Sequence, residues 1–253
     1  MHPAVDRSAA YAIAPPDITT VAVAGMDAVF PVARVFCVGR NYAEHSIEMG
    51  HDPEREPPFF FMKPADAVVP PGRLPFPTQT RELHHEIELV VALGEGGADI
   101  PVDRALDHVF GYAVGLDMTR RDLQAVAKKA GRPWDMAKGF DQSAPTGTIR
   151  AVDEIGHPTQ GAVWLRINGE PRQEGDLDQQ IWTVPETISY LSTLVTLRSG
   201  DLIMTGTPKG VGHVVPGDRL EGHIDGVGDL EVSYDARVLL RRAAGPPGRV
   251  EEP

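Results

Sequence analysis

A single cysteine in 253 residues rules out an intramolecular disulfide framework and fits a reducing cytoplasm. Cys37 lies in the apolar run Val35-Phe-Cys-Val38, where a thiol packs as a small hydrophobe. No apolar stretch approaches the ~20 residues that a membrane span needs. Residues 1–16 have neither a charged start nor an apolar segment of the secretory kind, so the expected location is cytoplasmic. Positive charge is scarce as well: the net charge is −12, with no basic stripe to displace counterions, which argues against nucleic acid. Two catalytic signatures are missing. There is no Gly-x-Ser-x-Gly elbow, and Gly206-Thr-Pro-Lys-Gly-Val-Gly212 lacks the spacing and the Gly-Lys-Ser/Thr ending of a phosphate loop.

What the chain does contain is glycine and proline in quantity, 26 and 23 residues, which suits tight turns between short strands. Its 42% hydrophobic content fits one large domain: a short leader over 1–30 with one or two strands, a catalytic domain over 31–240, and a frayed tail over 241–253. Strands are predicted at 20–24, 32–38, 59–62 (the last one buried), 109–116 and 201–205. A proline-punctuated connection is expected over 68–77. Asn168-Gly169 marks a type I′ hairpin, and Pro171 places the returning strand at an edge. Helices are predicted over 42–49, closed by Gly50, over 118–130, and over 185–197 with Thr183 as a possible N-cap.

Three acidic residues carry the most chemical information. Glu82-Leu-His-His-Glu-Ile-Glu-Leu-Val-Val-Ala-Leu93 alternates at its start and ends apolar, as a strand entering a core does. Period two puts Glu86 and Glu88 on one face, with Ile87 and Leu89 opposite. Two carboxylates about 5 Å apart repel by roughly 3 kcal/mol at an effective dielectric near 20, which favours a shared cation. Asp117, at the end of the 109–116 strand, is a third candidate ligand or, equally, a helix N-cap. All-oxygen donors suit Mg²⁺ or Mn²⁺.

His84 shares the Glu86/Glu88 face as a possible fourth ligand or as a partner of one. Arg121 and Gln124 follow Asp117 at helical spacing and suit recognition of a carboxylate. Lys138 is a cation among apolar residues, a setting that also fits a snorkelling surface lysine. His45 and Glu48, at i,i+3, can form a carboxylate-backed general base, although spacing alone equally describes the wet side of a helix.

In order and type, Val38-Gly-Arg-Asn-Tyr-Ala-Glu-His45, His84-His-Glu-Ile-Glu88, Gly115-Leu-Asp-Met-Thr119 and Thr205-Gly-Thr-Pro-Lys-Gly-Val-Gly212 resemble the fumarylacetoacetate hydrolase superfamily over roughly residues 31–235. Phe30-Pro31, 107–112 and 140–145 look like its acylpyruvate-cleaving branch, active in gentisate breakdown. The resemblance implies a mixed α/β, strand-dominated β-roll with a few peripheral helices, usually a homodimer. It implies Mg²⁺ or Mn²⁺ on Glu86, Glu88 and Asp117, and a His45–Glu48 dyad on a short lid-like helix. Contacts to the pyruvate end of a small keto-acid would come from Arg121, Gln124, Lys138 and Thr207. Many relatives have serine where this chain has Gly139.

The implied reaction is hydrolysis of the C3–C4 bond of an acylpyruvate, giving fumarate and pyruvate from fumarylpyruvate. Oxaloacetate decarboxylation and 2-hydroxy-diene isomerisation are possible on the same site, and a non-catalytic metal-binding module is the remaining alternative. A far carboxylate on the substrate calls for a further cation, for which Arg40, Lys63 and Arg73 are the candidates.

Overall fold

The computed structural model describes residues 11–42 and 56–235. Tyr42, the first residue of the expected 42–49 helix, bridges to Gln180 instead, while the rest of that helix, with His45 and Glu48, and the 241–253 tail lie outside the described residues. The fold is strand-dominated. A six-stranded sheet runs in the order Arg150–Ala151, Val109–Leu116, Ile87–Leu93, Asp201–Met204, Arg34–Gly39, Phe59–Lys63. A five-stranded sheet runs Glu170–Asp176, Ala162–Ile167, Arg219–Ile224, Gly228–Tyr234, Gly72–Leu74. The main core lies between them, with Leu89, Val91 and Val114 from the first facing Val163, Leu165 and Val232 from the second.

Ile87–Leu93 is buried at all seven positions, which explains why it reads as an almost continuous apolar run. Its odd residues enter the main core, while Val90 and Ala92 join a second cluster with Val35, Cys37, Leu202 and Met204. Burial pushes the Cys37 thiol well above its ordinary pKa, and the carboxylate of Asp117 adds to the effect, so it is inert packing.

The hairpin forms as expected. Asn168 and Gly169 both take positive φ (53° and 84°), and the strand carrying Pro171 is a sheet edge. The later helix, Val184–Leu194, starts from Thr183, whose N–H and hydroxyl both donate to Glu186. It stops three residues short of expectation because Val195 turns extended. The 68–77 connection contains two short strands, Val68–Val69 and Gly72–Leu74.

Three expectations need correction. Phe59–Lys63 is a strand but not a buried one, since it is the open edge of its sheet and leaves Phe59 43% and Met62 48% exposed. The strand predicted over 82–93 breaks at Glu86 into Leu83–His85 and Ile87–Leu93, the first half pairing away from the main sheet with Thr119–Arg120 and Gly212–Val214. The helix predicted over 118–130 covers only Arg121–Lys129. Thr119 and Arg120 are drawn into the pairing with His84 and Leu83, a tertiary contact that overrides helical propensity.

Candidate metal centre

Sheet register assembles the site. In the antiparallel pair of Ile87–Leu93 with Val109–Leu116, Ile87 faces Leu116, so the next residue along places Asp117 beside Glu86. The Asp117 N–H donates to the Glu86 carbonyl at 2.9 Å, which locks that position. One ligand oxygen each from Glu86, Glu88 and Asp117 lies within 4.8 Å of the others, and all three residues are buried. Asp117 is therefore not an N-cap: the helix begins four residues later, and Arg121 and Gln124 are joined on it without Asp117.

The third side of the site comes from the turn after Asp201–Met204. The Gly206 N–H donates to Glu88 Oε2 at 2.7 Å. Gly206 has φ +94°, and a Cβ there would meet the Cβ of Asn41 at 2.7 Å, so glycine is required. Asn41 in turn donates to the Thr205 carbonyl at 2.8 Å and the Trp182 carbonyl at 2.9 Å, tying the end of Arg34–Gly39 to this loop.

Three cations balance the three carboxylates. Lys138, buried in the short helix Asp135–Lys138, donates to Glu86 Oε2 at 3.0 Å and Asp117 Oδ2 at 2.6 Å. Arg121 pairs with Glu86 Oε1 and donates to Gln124 Oε1 at 2.6 Å. Lys63, fully buried, has its ammonium 2.8 Å from Asp117 Oδ1 and donates to the carbonyls of Met118 and Lys138. Burial works against the Lys138 charge, but Asp117 and Glu86 outweigh it and raise its pKa. Glu88 fares worse: burial pushes its carboxyl well above the usual range, reinforced by Asp117 and Glu86.

These residues fit a divalent ion. Three buried carboxylates converge here, and Glu88, whose carboxyl is pushed up by burial and by Asp117 and Glu86, is short of positive charge. Octahedral ligands at about 2.1 Å from an ion sit roughly 3–4 Å apart, a modest contraction from the spacing here. With the ion bound the site carries two net positive charges, which suits a doubly anionic ligand.

The remaining candidates divide. Arg40, Gln124 and Thr207 line one cavity with Glu86, Glu88, Arg121 and Lys138, walled by Phe59, Phe61 and Trp134. The Thr207 hydroxyl is committed elsewhere, donating to the Ile87 carbonyl at 2.7 Å and accepting from Gln173 at 2.8 Å. His84 is not in the ligand cluster. Its Nδ1 faces Arg121 Nε at 3.4 Å, and its ring stacks on His213. Lys63 is corrected from far-carboxylate candidate to partner of Asp117. Arg73 lies elsewhere, at the surface, paired with Asp235.

Sequence reasoning missed two buried supports. Gln173 accepts from the Ile87 N–H at 3.1 Å and from His85 Nδ1 at 2.8 Å, and donates to Thr207 and Pro208. All four bonds converge on the break between the two glutamates and on the glycine-rich loop. Burial lowers the His85 pKa to about 4, so it is neutral and its Nδ1 carries the donated proton. Lys63 reads in the sequence only as a free cation; it is itself buried although Phe59 and Met62 before it are exposed, so the run gives no sign of its partner.

Comparison with known proteins supports this geometry. A family profile described as "Fumarylacetoacetate (FAA) hydrolase C-terminal" matches residues 34–233. The crystal structure of fumarylpyruvate hydrolase from Pseudomonas aeruginosa in complex with Mn²⁺ and pyruvate is 54% identical, with a TM-score of 0.88, covering 90% of this chain and 100% of that one. The mouse mitochondrial oxaloacetate tautomerase FAHD1 is 47% identical over 76% of this chain and 87% of its own length. The mitochondrial oxaloacetate decarboxylase of Dictyostelium discoideum is 40% identical over 83% and 95% respectively. These mitochondrial relatives overturn the cytoplasmic expectation. One buried thiol fits any reducing compartment and does not single out the cytoplasm. No helix among the described residues is long and apolar enough to cross a membrane.

Proposed function

The chain belongs to the fumarylacetoacetate hydrolase family, and from that premise we propose that it hydrolyses the C3–C4 bond of an acylpyruvate, fumarylpyruvate being the substrate and fumarate and pyruvate the products. The convergence of Glu86, Glu88 and Asp117 in a cavity lined with cations carries the reading. It is supported by 54% identity to the fumarylpyruvate hydrolase crystallised with Mn²⁺ and pyruvate.

In this proposal Glu86, Glu88 and Asp117 hold Mg²⁺ or Mn²⁺, which supplies Lewis acidity and a template for the oxo-acid end of the substrate. Arg121 and Gln124 orient the substrate carboxylate. His45, backed by Glu48, takes a proton from the water that adds to the C4 carbonyl. Breaking the C3–C4 bond leaves its electron pair on C3, delocalised into the 2-oxo oxygen as a pyruvate enolate. The Lys138 ammonium, fixed before the reaction begins, stabilises that developing charge. Protonation at C3 completes pyruvate. The chain is proposed to act as a homodimer with 31–240 as its catalytic unit, and the exposed aromatic edge strand Phe59–Lys63 supports pairing with another surface.

The oxaloacetate-directed relatives favour a second reading, in which the same groups promote enolisation or decarboxylation without adding water. Parallel assays with Mn²⁺ separate the two. Fumarylpyruvate is expected to give fumarate and pyruvate with the highest kcat/KM, above acetylpyruvate and oxaloacetate. Tautomerisation or decarboxylation of oxaloacetate with fumarylpyruvate untouched would establish the alternative.

A further inference from the structure

The edge strand Glu170–Asp176 buries one side chain among its seven residues, and that side chain is an amide. Gln173 is 0% exposed and sits opposite the buried Leu165, a place that an apolar residue would fill without needing partners. The amide is instead fully bonded. Its Oε1 accepts from the Ile87 N–H and from His85 Nδ1, and its Nε2 donates to the Thr207 hydroxyl and the Pro208 carbonyl. A backbone N–H only donates and a carbonyl only accepts, so Ile87 and Pro208 fix which way the amide faces.

Three of these groups close a ring. The Ile87 N–H donates to Gln173 at 3.1 Å, Gln173 donates to Thr207 at 2.8 Å, and the Thr207 hydroxyl donates back to the Ile87 carbonyl at 2.7 Å. That N–H and that carbonyl belong to the two peptide units that join Glu86 to Glu88. On the other side of the ring, Thr207 follows Gly206, whose N–H holds Glu88 Oε2. One buried amide therefore grips the backbone between two ligand residues and the loop that aims the second of them.

The same edge strand seats that loop by close packing. A Cβ at Gly175 would lie 2.6 Å from the Pro208 Cβ, and one at Gly210 would strike the Arg172 carbonyl. A loop held this tightly cannot shift to accommodate misplaced carboxylates.

We propose that Gln173 is a positioning residue: through the ring it sets the separation and aim of the Glu86 and Glu88 carboxylates, and so the affinity of the centre for its divalent ion. This rests on the three carboxylates being the metal ligands, and not on which reaction the loaded centre performs.

The test is calorimetric titration with Mn²⁺, without substrate, at a temperature where circular dichroism shows parent and variants folded. Gln173→Met fills the space with no hydrogen-bonding amide, and Thr207→Val takes the hydroxyl out of the ring. Each should weaken Mn²⁺ binding by about 10–100-fold, the scale for partners of metal ligands. The double variant should bind about as well as the weaker single, because either change opens the same ring. Thr207→Ser keeps the hydroxyl and should bind like the parent. Variants that melt earlier yet bind Mn²⁺ like the parent would reduce Gln173 to packing and overturn the proposal. Losses that multiply in the double variant, or serine behaving like valine, would overturn it as well. Should Gln173→Met fail to fold, the valine and serine variants decide on the same criteria. A parent that does not take up Mn²⁺ sinks the ligand set itself, whereas a parent matched by its variants sinks Gln173 alone.

Discussion

Glu88→Gln is expected to abolish the thermal stabilisation conferred by Mn²⁺ and to cut turnover by more than about 100-fold, since even the partners of metal ligands are worth about 10–100-fold. The metal-free variant, however, should be no less stable than the metal-free parent. Glu88 is buried beside Asp117 and Glu86, and all three effects raise its pKa. Without an ion, its negative charge is therefore a cost that glutamine removes. The amide oxygen can still accept from the Gly206 N–H.

The sign of the pH dependence follows. A carboxyl whose folded pKa lies above its ordinary value of 4.5 binds more protons folded than unfolded. Stability of the metal-free parent should therefore fall as pH rises from about 4.5 through the raised pKa. The variant should lack that part of the slope. Mn²⁺ displaces the proton, so the stabilisation it gives the parent should grow over the same range. Melting curves with and without Mn²⁺ between pH 5 and 8 decide the matter. A variant still stabilised by Mn²⁺ like its parent would remove Glu88 from the ligand set.

Lys138→Met is expected to separate binding from catalysis. Lys138 holds two ligand carboxylates, at 3.0 and 2.6 Å, and in the proposed reaction faces the oxygen where negative charge develops. Losing a preorganised donor of that kind costs about 10²–10³-fold in kcat. Metal binding should survive or tighten, because three carboxylates are then balanced by Lys63 and Arg121 alone. Breaking a buried pair by removing one partner costs about 3–5 kcal/mol, so the metal-free variant should melt early and be rescued by Mn²⁺. Loss of Mn²⁺ affinity in proportion to activity would make Lys138 a support for the ligands and nothing more.

What could be read in the sequence follows the range over which each feature is determined. Glu86 and Glu88 share a face because strand alternation is local, and Asp117 was visible as the residue ending an apolar strand. The hairpin at Asn168-Gly169 was equally legible, since positive φ at both residues is a property of the pair. Lys63 and Gln173 were hidden because their roles depend on pairings made far along the chain. Lys63 reaches Asp117 only through the register of Phe59–Lys63 against Arg34–Gly39, and Gln173 reaches Ile87 from the edge of the other sheet. Met118–Arg120 read as helix from local pattern and was pulled extended by His84 and Leu83. Phe59 and Met62 read as core because composition does not distinguish a central strand from an edge.

Crystals of this protein grown with Mn²⁺ and pyruvate, measured at the manganese absorption edge, put the whole scheme to one trial. A single anomalous peak should sit about 2.1 Å from one oxygen each of residues 86, 88 and 117, with the keto-acid oxygens completing its shell. Lys138 should lie alongside without touching the ion. A peak bound elsewhere, or pyruvate seated with these carboxylates still clasped by Lys63 and Lys138 and no manganese between them, would contradict it.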